Sequence, residues 1–387
     1  MVKNWLNAYS ELKDYVQKNP AVEISKTAVI LPDEARPGFY KLFDNIRKEF
    51  IEQLFSEQIS SAKVLGVAYF DAEAALLTNP GLKSIYIDQP LRWFLTDPVD
   101  GISRRVFDLT FELVQGQITP EQYAERAERM TAPLVLEYYQ QGYVRWVGLN
   151  LMRMLSPTSY FVTDVDDQYT DPDLSQAYNR PGFETVHPKM LATDKFSFSM
   201  NEYTSVLPPN IIFFSGLLQC YIGLNVDFHR VFKWVREPSK NREWLNIEDM
   251  IKELGPDNYW PDLVLSKSDT PEDLLMVAEW KSLSRSDVII TVSPASSYDA
   301  ESVTDRMEPL KRLLKPRLGQ FIVCRGTKAA PAPRLAVTET PATPISGGTS
   351  TEPAGQESAM GLPTYPDIIE ADLETSKLEP IIEALKA

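Results

Sequence analysis

Between Tyr259 and Lys281 the chain reads Tyr-Trp-Pro-Asp-Leu-Val-Leu-Ser, a polar turn, and then Leu-Leu-Met-Val-Ala-Glu-Trp-Lys. Two short apolar runs, Asp262–Ser266 and Leu274–Lys281, joined by the turn-forming residues Lys267–Asp273, predict a β-hairpin folded near Thr270. Most of both runs is apolar on both faces, which places such strands inside a sheet covered on both sides. Asp262 opens the first run, and Glu279 and Lys281 close the second on one shared face, with Trp280 on the other. In the register that sets Asp262 across from Ala278 or Glu279, two carboxylates and an ammonium meet at the open end of the hairpin. A slip of one residue turns Asp262 to the other face.

Carboxylates gathered at the rim of a buried sheet suit a hard divalent cation such as magnesium or manganese, which takes oxygen ligands. An ion held by Asp262 and Glu279 would polarise a phosphodiester, and Lys281 would act on the attacking water or on developing negative charge. The same three residues also fit a partly buried ion pair that caps a strand end.

Pro261-Asp262, sixteen intervening residues and Glu279-Trp280-Lys281 resemble the PD-(D/E)XK nucleases, the restriction-endonuclease-like family. The resemblance covers about residues 241–325. It implies a core of a helix, a three-strand meander, a second helix and a fourth strand. It also implies metal binding by Asp262 and Glu279 and a catalytic role for Lys281. The family's first helix often adds an acidic ligand. Here that helix is expected after Asn246, and Glu248 is the candidate, with Glu243 and Glu253 nearby. The six residues between Gly255 and Asp262 leave no room for the family's usual first strand, which must then be displaced upstream or vestigial. Downstream, Val288–Val292 reads as a strand, Tyr298–Lys315 as a helix and Gly319–Cys324 as a final strand.

The remaining sequence sets the frame. Stripes through Trp5, Tyr9, Leu12 and Phe39, Phe43, Ile46, Phe50 predict helices with aromatic cores over residues 1–58. Ser60–Leu77 and Ser84–Leu95 are ambiguous, with Lys63–Phe70 and Ile85–Ile87 candidate strands. Thr119-Pro120-Glu121-Gln122 predicts a capped helix start, with a break expected at Pro133 and a second helix from Leu134 to Leu155. Asn210–Val226 is apolar enough to be a buried strand or helix. The aspartates of Thr163–Leu174 lack the glycine and terminal glutamate of a calcium loop and read as exposed.

These elements predict an α/β (α+β) chain with an α-rich region over 1–225, for recognition or partner binding, and a nuclease-like core over 226–326. A Pro/Ala/Ser/Thr-rich linker expected to be disordered follows over 327–362, and an amphipathic tail element over 363–387. Only Cys220 and Cys324 are present, the first residues lack a signal peptide's apolar run, and no stretch is long enough to span a membrane, so an intracellular, cytoplasmic protein is expected.

A formal charge of −15 argues against general nucleic-acid binding. Residues 228–242, with five bases against Glu237, and residues 281–325, with eight bases and five acids, are locally positive and flank the expected site. The reading is a metal-dependent deoxyribonuclease with DNA as partner, and RNA fits the same residues. The rival reading is a non-catalytic assembly or adaptor protein acting through its acidic surface and tail helix. A protein partner for that helix or a homodimer is compatible with either.

Overall fold

Ala62, Ala68, Ala72, Ala74 and Ala75 make the segment after Ser56 a strong helix former, and side-chain crowding raises no obstacle there. In the computed structural model this ambiguous stretch is one helix, as are both aromatic stripes before it. The structure describes residues 4–79, 81–164, 189–198, 211–226, 261–274, 286–293, 316–325 and 367–387. The first half holds α1 (Trp5–Lys18), β1 (Glu23–Ile24), β2 (Val29–Ile30), α2 (Arg36–Leu54), α3 (Ser56–Leu77), β3 (Ser84–Tyr86), α4 (Gln89–Thr96), α5 (Pro98–Ser103), α6 (Phe107–Val114) and α7 (Pro120–Met154). The aromatic stripes form core as expected. Trp5 packs edge-on against Phe50 at 5.7 Å between ring centroids, and Phe43 meets Phe111 at 4.4 Å, tying α1, α2 and α6 together.

The helix expected to stop at Pro133 does not. The capping box at Thr119 and Gln122 is formed, but α7 continues through Pro133 to Met154. A mid-helix proline costs about 3 kcal/mol. Burial outweighs it here: every residue from Gly142 to Met152 is buried, so this half of α7 lies between the helical layer and the sheet. Arg145 and Asn150 are the polar exceptions, each 1% exposed.

The second half is built around one sheet of eight strands. In chain order these are β4 (Pro157–Asp164), β5 (Lys189–Ala192), β7 (Ile211–Ser215), β8 (Cys220–Val226), β9 (Leu263–Ser268), β10 (Val288–Ser293), β11 (Gly319–Cys324) and β12 (Asp367–Glu370). A separate short strand, β6 (Lys195–Ser197), pairs with β3. The order across the large sheet is β12-β11-β10-β9-β8-β7-β4-β5. Strands β10, β11 and β12 are parallel, and every pairing from β10 through β5 is antiparallel. The protein is therefore mixed α/β with a large mixed sheet. Ile222, Leu224, Leu263, Leu265, Ile290 and Val323 face the common core with α7, while Val264, Ile289 and Ile322 on the other face are buried as well. The doubly apolar pattern around Asp262 is thus that of a central strand.

Three expectations are corrected. First, Asp262–Ser266 does not form a hairpin with Leu274–Lys281. Both edges of Leu263–Leu265 are occupied, by β8 (Val226↔Leu263) and by β10 (Ile290↔Leu263), leaving no edge for a third strand. Glu272–Leu274, at the start of the expected second strand, is a turn of 3₁₀ helix. Second, the division expected at 225/226 does not coincide with a break in the sheet, because β4, β5, β7 and β8 from the region read as α-rich pair continuously into β9. Third, the tail is not a helix throughout. The β-branched pair Ile368-Ile369 lies in β12 against the edge of β11, and α-helix is confined to α8 (Glu379–Lys386), with Pro380 in its first turn. Ile381, Ile382 and Leu385 of α8 are at most 3% exposed, so the expected amphipathic helix docks on its own chain.

Residues 327–362, 241–256 and 298–315, read above as linker and helices, lie outside the described residues. Among the described residues no helix is long and apolar enough to cross a membrane.

Gly66 lets α3 approach α4 so closely that an added Cβ would overlap the Leu95 carbonyl oxygen. Gly66→Ala should therefore destabilise the chain by about 1–3 kcal/mol, as overpacking does. A urea denaturation midpoint equal to that of the unchanged protein would show that this contact is not made.

Candidate functional site

The parallel strands β10, β11 and β12 end at one rim of the sheet, and β9, running the other way, begins there. Ligands of open α/β sheets bind outside the carboxyl ends of parallel strands, so this rim is the natural place to look. Asp262, at the first position before β9, is half-buried on it. Its backbone N–H donates to the Ile290 carbonyl at 3.0 Å. Its carboxylate prolongs the ladder by one step, with Oδ2 accepting the Val292 N–H at 2.7 Å. Gln140 of α7 donates from Nε2 to the Val292 carbonyl at 2.6 Å and reaches Asp262 Oδ1 at 3.5 Å. A side chain from the long helix is thereby keyed to the end of the β9–β10 pair.

By the β9–β10 register the residue across from Asp262 is Thr291, rather than Ala278 or Glu279. Alternation along β9 puts Asp262 on the same face as Val264 and Ser266. The neighbouring strands add Asn225, opposite Val264, and Thr291 to that face. Asn225, Ser266 and Thr291 are 0%, 8% and 1% exposed. Asn225 Oδ1 and Nδ2, Ser266 Oγ and Thr291 Oγ1 have no hydrogen-bond partner among the described residues. Buried polar atoms are nearly always paired, so the partners of these four atoms are to be sought outside the described residues or in a bound group. The donor set of this face is oxygen-rich, the kind a hard cation prefers.

Two further clusters lie along β10 and β11. At the far end, Asp287 is fully buried. Its Oδ2 accepts the Lys267 N–H at 2.6 Å, and its Oδ1 accepts Arg317 Nε at 2.7 Å and lies 2.6 Å from Arg317 Nη2. It caps the β9–β10 ladder there much as Asp262 caps the other end.

On the rim itself, Arg325 follows β11 and is 7% exposed. Its guanidinium lies over the Tyr139 ring at 5.4 Å, with Nε 3.6 Å from Asp372 Oδ1. Burial lowers the Arg325 pKa from its ordinary value, and Asp372 opposes the shift. Tyr143, one turn of α7 beyond Tyr139, is fully buried, and burial pushes its hydroxyl well above the usual tyrosine range.

Of the site residues expected from sequence, Asp262 alone lies among the described residues. Glu279, Lys281 and Glu248 lie outside them, as does the basic stretch 228–242. Among the described residues no group of three or more acidic, histidine or cysteine side chains could hold a metal. The described part of the site therefore contributes one carboxylate and neutral oxygens. In the second basic stretch, Arg317 and Arg325 are both paired with aspartates, which removes them from the charge available to a phosphate backbone. Sequence reasoning missed Asp287, Gln140 and Arg325. Asp287 carried a readable signal, an acid immediately before Val288-Ile289-Ile290. Gln140 and Arg325 acquire their roles only through long-range contacts. Compared with protein-family models, curated proteins and solved structures, the chain finds no match.

If Asp262 holds the ladder end through its acceptor oxygen, Asp262→Asn should keep most of the stability and Asp262→Ala should lose about 1–3 kcal/mol, the cost of leaving the Val292 N–H unpaired. Equal unfolding free energies for the two variants would refute that role.

Proposed function

We propose that the chain is a metal-dependent nuclease acting on DNA phosphodiesters, with Asp262 as one ligand of a magnesium or manganese ion. The observation that carries this reading is one of placement. Strands β8, β9 and β10 form an antiparallel run, β11 follows parallel to β10, and Asp262 stands at the head of the middle strand. The strand directions agree with the meander that the resemblance implies, with β8 as its first strand, although β8 precedes the helix expected after Asn246 and β10, rather than the stretch with Glu279 and Lys281, pairs with β9. The buried oxygens of Asn225 and Thr291, without a hydrogen-bond partner among the described residues, support a polar centre at the same place.

The bound ion would supply charge stabilisation and an activated water. This chain's residues would hold it through Asp262 and Glu279 and position the water with Lys281. Glu248 is a further candidate ligand from the expected first helix.

The reading makes a strict demand on the connection from residue 275 to 285. Its two flanks lie at the far end of β9, where Ser268 Oγ donates to Asp273 Oδ2 at 3.2 Å and Asp287 meets Lys267. The rim is five to six residues away along the strand, about 17–20 Å at 3.3 Å per residue. Four residues lie between Leu274 and Glu279, and four between Lys281 and Ser286, so each flank is five steps long, a reach of about 17–18 Å fully extended. Glu279 and Lys281 sit at the midpoint of the connection, the only part of it that can arrive.

The second reading, a non-catalytic assembly protein, is favoured by one observation. The Asp262 carboxylate is already engaged by the Val292 N–H and approached by Gln140, as in a purely structural cap.

Incubation of the full chain with supercoiled plasmid, linear duplex, single-stranded DNA and RNA, in magnesium or manganese, separates the two. The nuclease reading expects metal-dependent cleavage, reduced about a hundredfold or more by Lys281→Ala and abolished by Asp262→Asn with the fold intact. Cleavage of RNA alone would shift the substrate class. No cleavage of any substrate, or full activity in Lys281→Ala, would leave the assembly reading standing.

A further inference from the structure

We infer that residues 367–387 are a detachable strand-and-helix element, and that their seat on the sheet accepts the same segment from a second copy of this chain. The seat is specific. Strand β12 pairs with β11 in parallel from Phe321↔Asp367 to Cys324↔Glu370, and Ala371 N–H continues the ladder to the Cys324 carbonyl at 2.8 Å. Beyond the strand, Thr375 Oγ1 donates to Asn150 Oδ1 on α7 at 2.9 Å, and Lys267 Nζ donates to the Leu385 carbonyl at 3.1 Å. Leu378, Ile381, Ile382 and Leu385 are buried against β10, β11 and α7. Any segment filling this seat from another molecule must match that register and those apolar positions, and a second copy does so by construction.

The segment depends on the body more than on itself. Among the described residues its strand has no partner but β11, its helix is eight residues long, and the turn between them holds Asp372 and Leu373 at φ of 33° and 63°, where side chains are disfavoured. It is also attached loosely in sequence. Parallel neighbours require a crossover of about a dozen residues, whereas 41 residues, 326–366, separate Arg325 from Asp367. Forty-one residues have a maximum reach of about 135–150 Å, enough to bring the segment to the seat of an adjacent molecule. Exchange replaces each contact with an identical one, so the balance between the two forms is set by the effective concentration of the tethered segment, of order millimolar. Docking within one chain should dominate at micromolar concentration, and exchange should appear as the millimolar range is approached.

The register provides the test. Cys324 and Glu370 are opposed partners on β11 and β12, within the Cα spacing a disulfide needs. In the full chain carrying Glu370→Cys, with Cys220→Ser to remove the other thiol, mild oxidation at micromolar concentration should give an intrachain disulfide. After incubation near 1 mM it should give a disulfide-linked dimer on non-reducing gels, in a share that rises with concentration.

A second chain lacking residues 327–365 keeps two residues between Arg325 and Asp367. That span is about 11 Å at most, against about 14 Å required, so the segment can dock only on another copy and the purified protein should be a dimer. A full-length chain whose disulfide stays intrachain at every concentration, or a shortened chain that folds as a monomer, would overturn the inference.

Discussion

Leu263 lies between partner strands on both edges of β9 and is covered by α7 on one face, and much of the chain is arranged by that three-way contact. Strand β8 occupies one edge of β9, β10 occupies the other, and Gly148 brings the α7 backbone near enough for a Cβ there to touch the Leu263 and Leu224 side chains at 3.7 and 4.0 Å. The helix is buried on every side over this stretch because it serves two layers at once. The helical layer packs on one flank of it and the sheet on the other. That double duty explains why Pro133 fails to end the helix, since stopping there would uncover both.

The same arrangement determines what polar groups can do. Along β9 and β10, ladder ends are closed by aspartates, Asp262 at the rim and Asp287 at the far end, each accepting a backbone N–H. Asp287 is fully buried and satisfied by Arg317, a composition suited to holding structure. Asp262 differs. It is half-exposed and close to neutral oxygens that lack partners among the described residues. A carboxylate with one oxygen engaged by the backbone retains lone pairs on both oxygens, so the ladder role and a cation role are chemically compatible. The chain's negative charge then has a place in the account: with Arg317 and Arg325 bound to aspartates, attraction of a phosphate backbone falls to the remaining bases of the 228–242 and 281–325 stretches and to the ion itself.

Legibility in the sequence followed the range of the interactions. Helix starts were readable because capping is local, as at Thr119 and Gln122. Core aromatics such as Phe39, Phe43 and Phe50 were readable because their spacing is helical. The central strands Val288–Ser293 and Gly319–Cys324 were readable as apolar runs. Strand partnership was not. The choice of β10 over Leu274–Lys281 as the partner of β9 depends on long-range competition for an edge, and apolar patterning is the same for both candidates. Ser60–Leu77 was ambiguous because its mixed apolar content hid a helix whose alanine-rich composition decides it. In the candidate site, Asp262 was legible as an acid out of place beside an apolar run. Gln140, more than a hundred residues distant, became part of the site only when the fold brought α7 across the rim.

The central claim is that Asp262 is an ion ligand as well as a ladder cap. Anomalous diffraction from crystals grown with manganese tests it in one measurement. The account predicts a manganese peak about 2.0–2.5 Å from an Asp262 carboxylate oxygen, with Glu279 as a second protein ligand. A well-ordered rim in which Asp262 carries only the Val292 N–H and Gln140, with Glu279 far away and no peak between them, would contradict it.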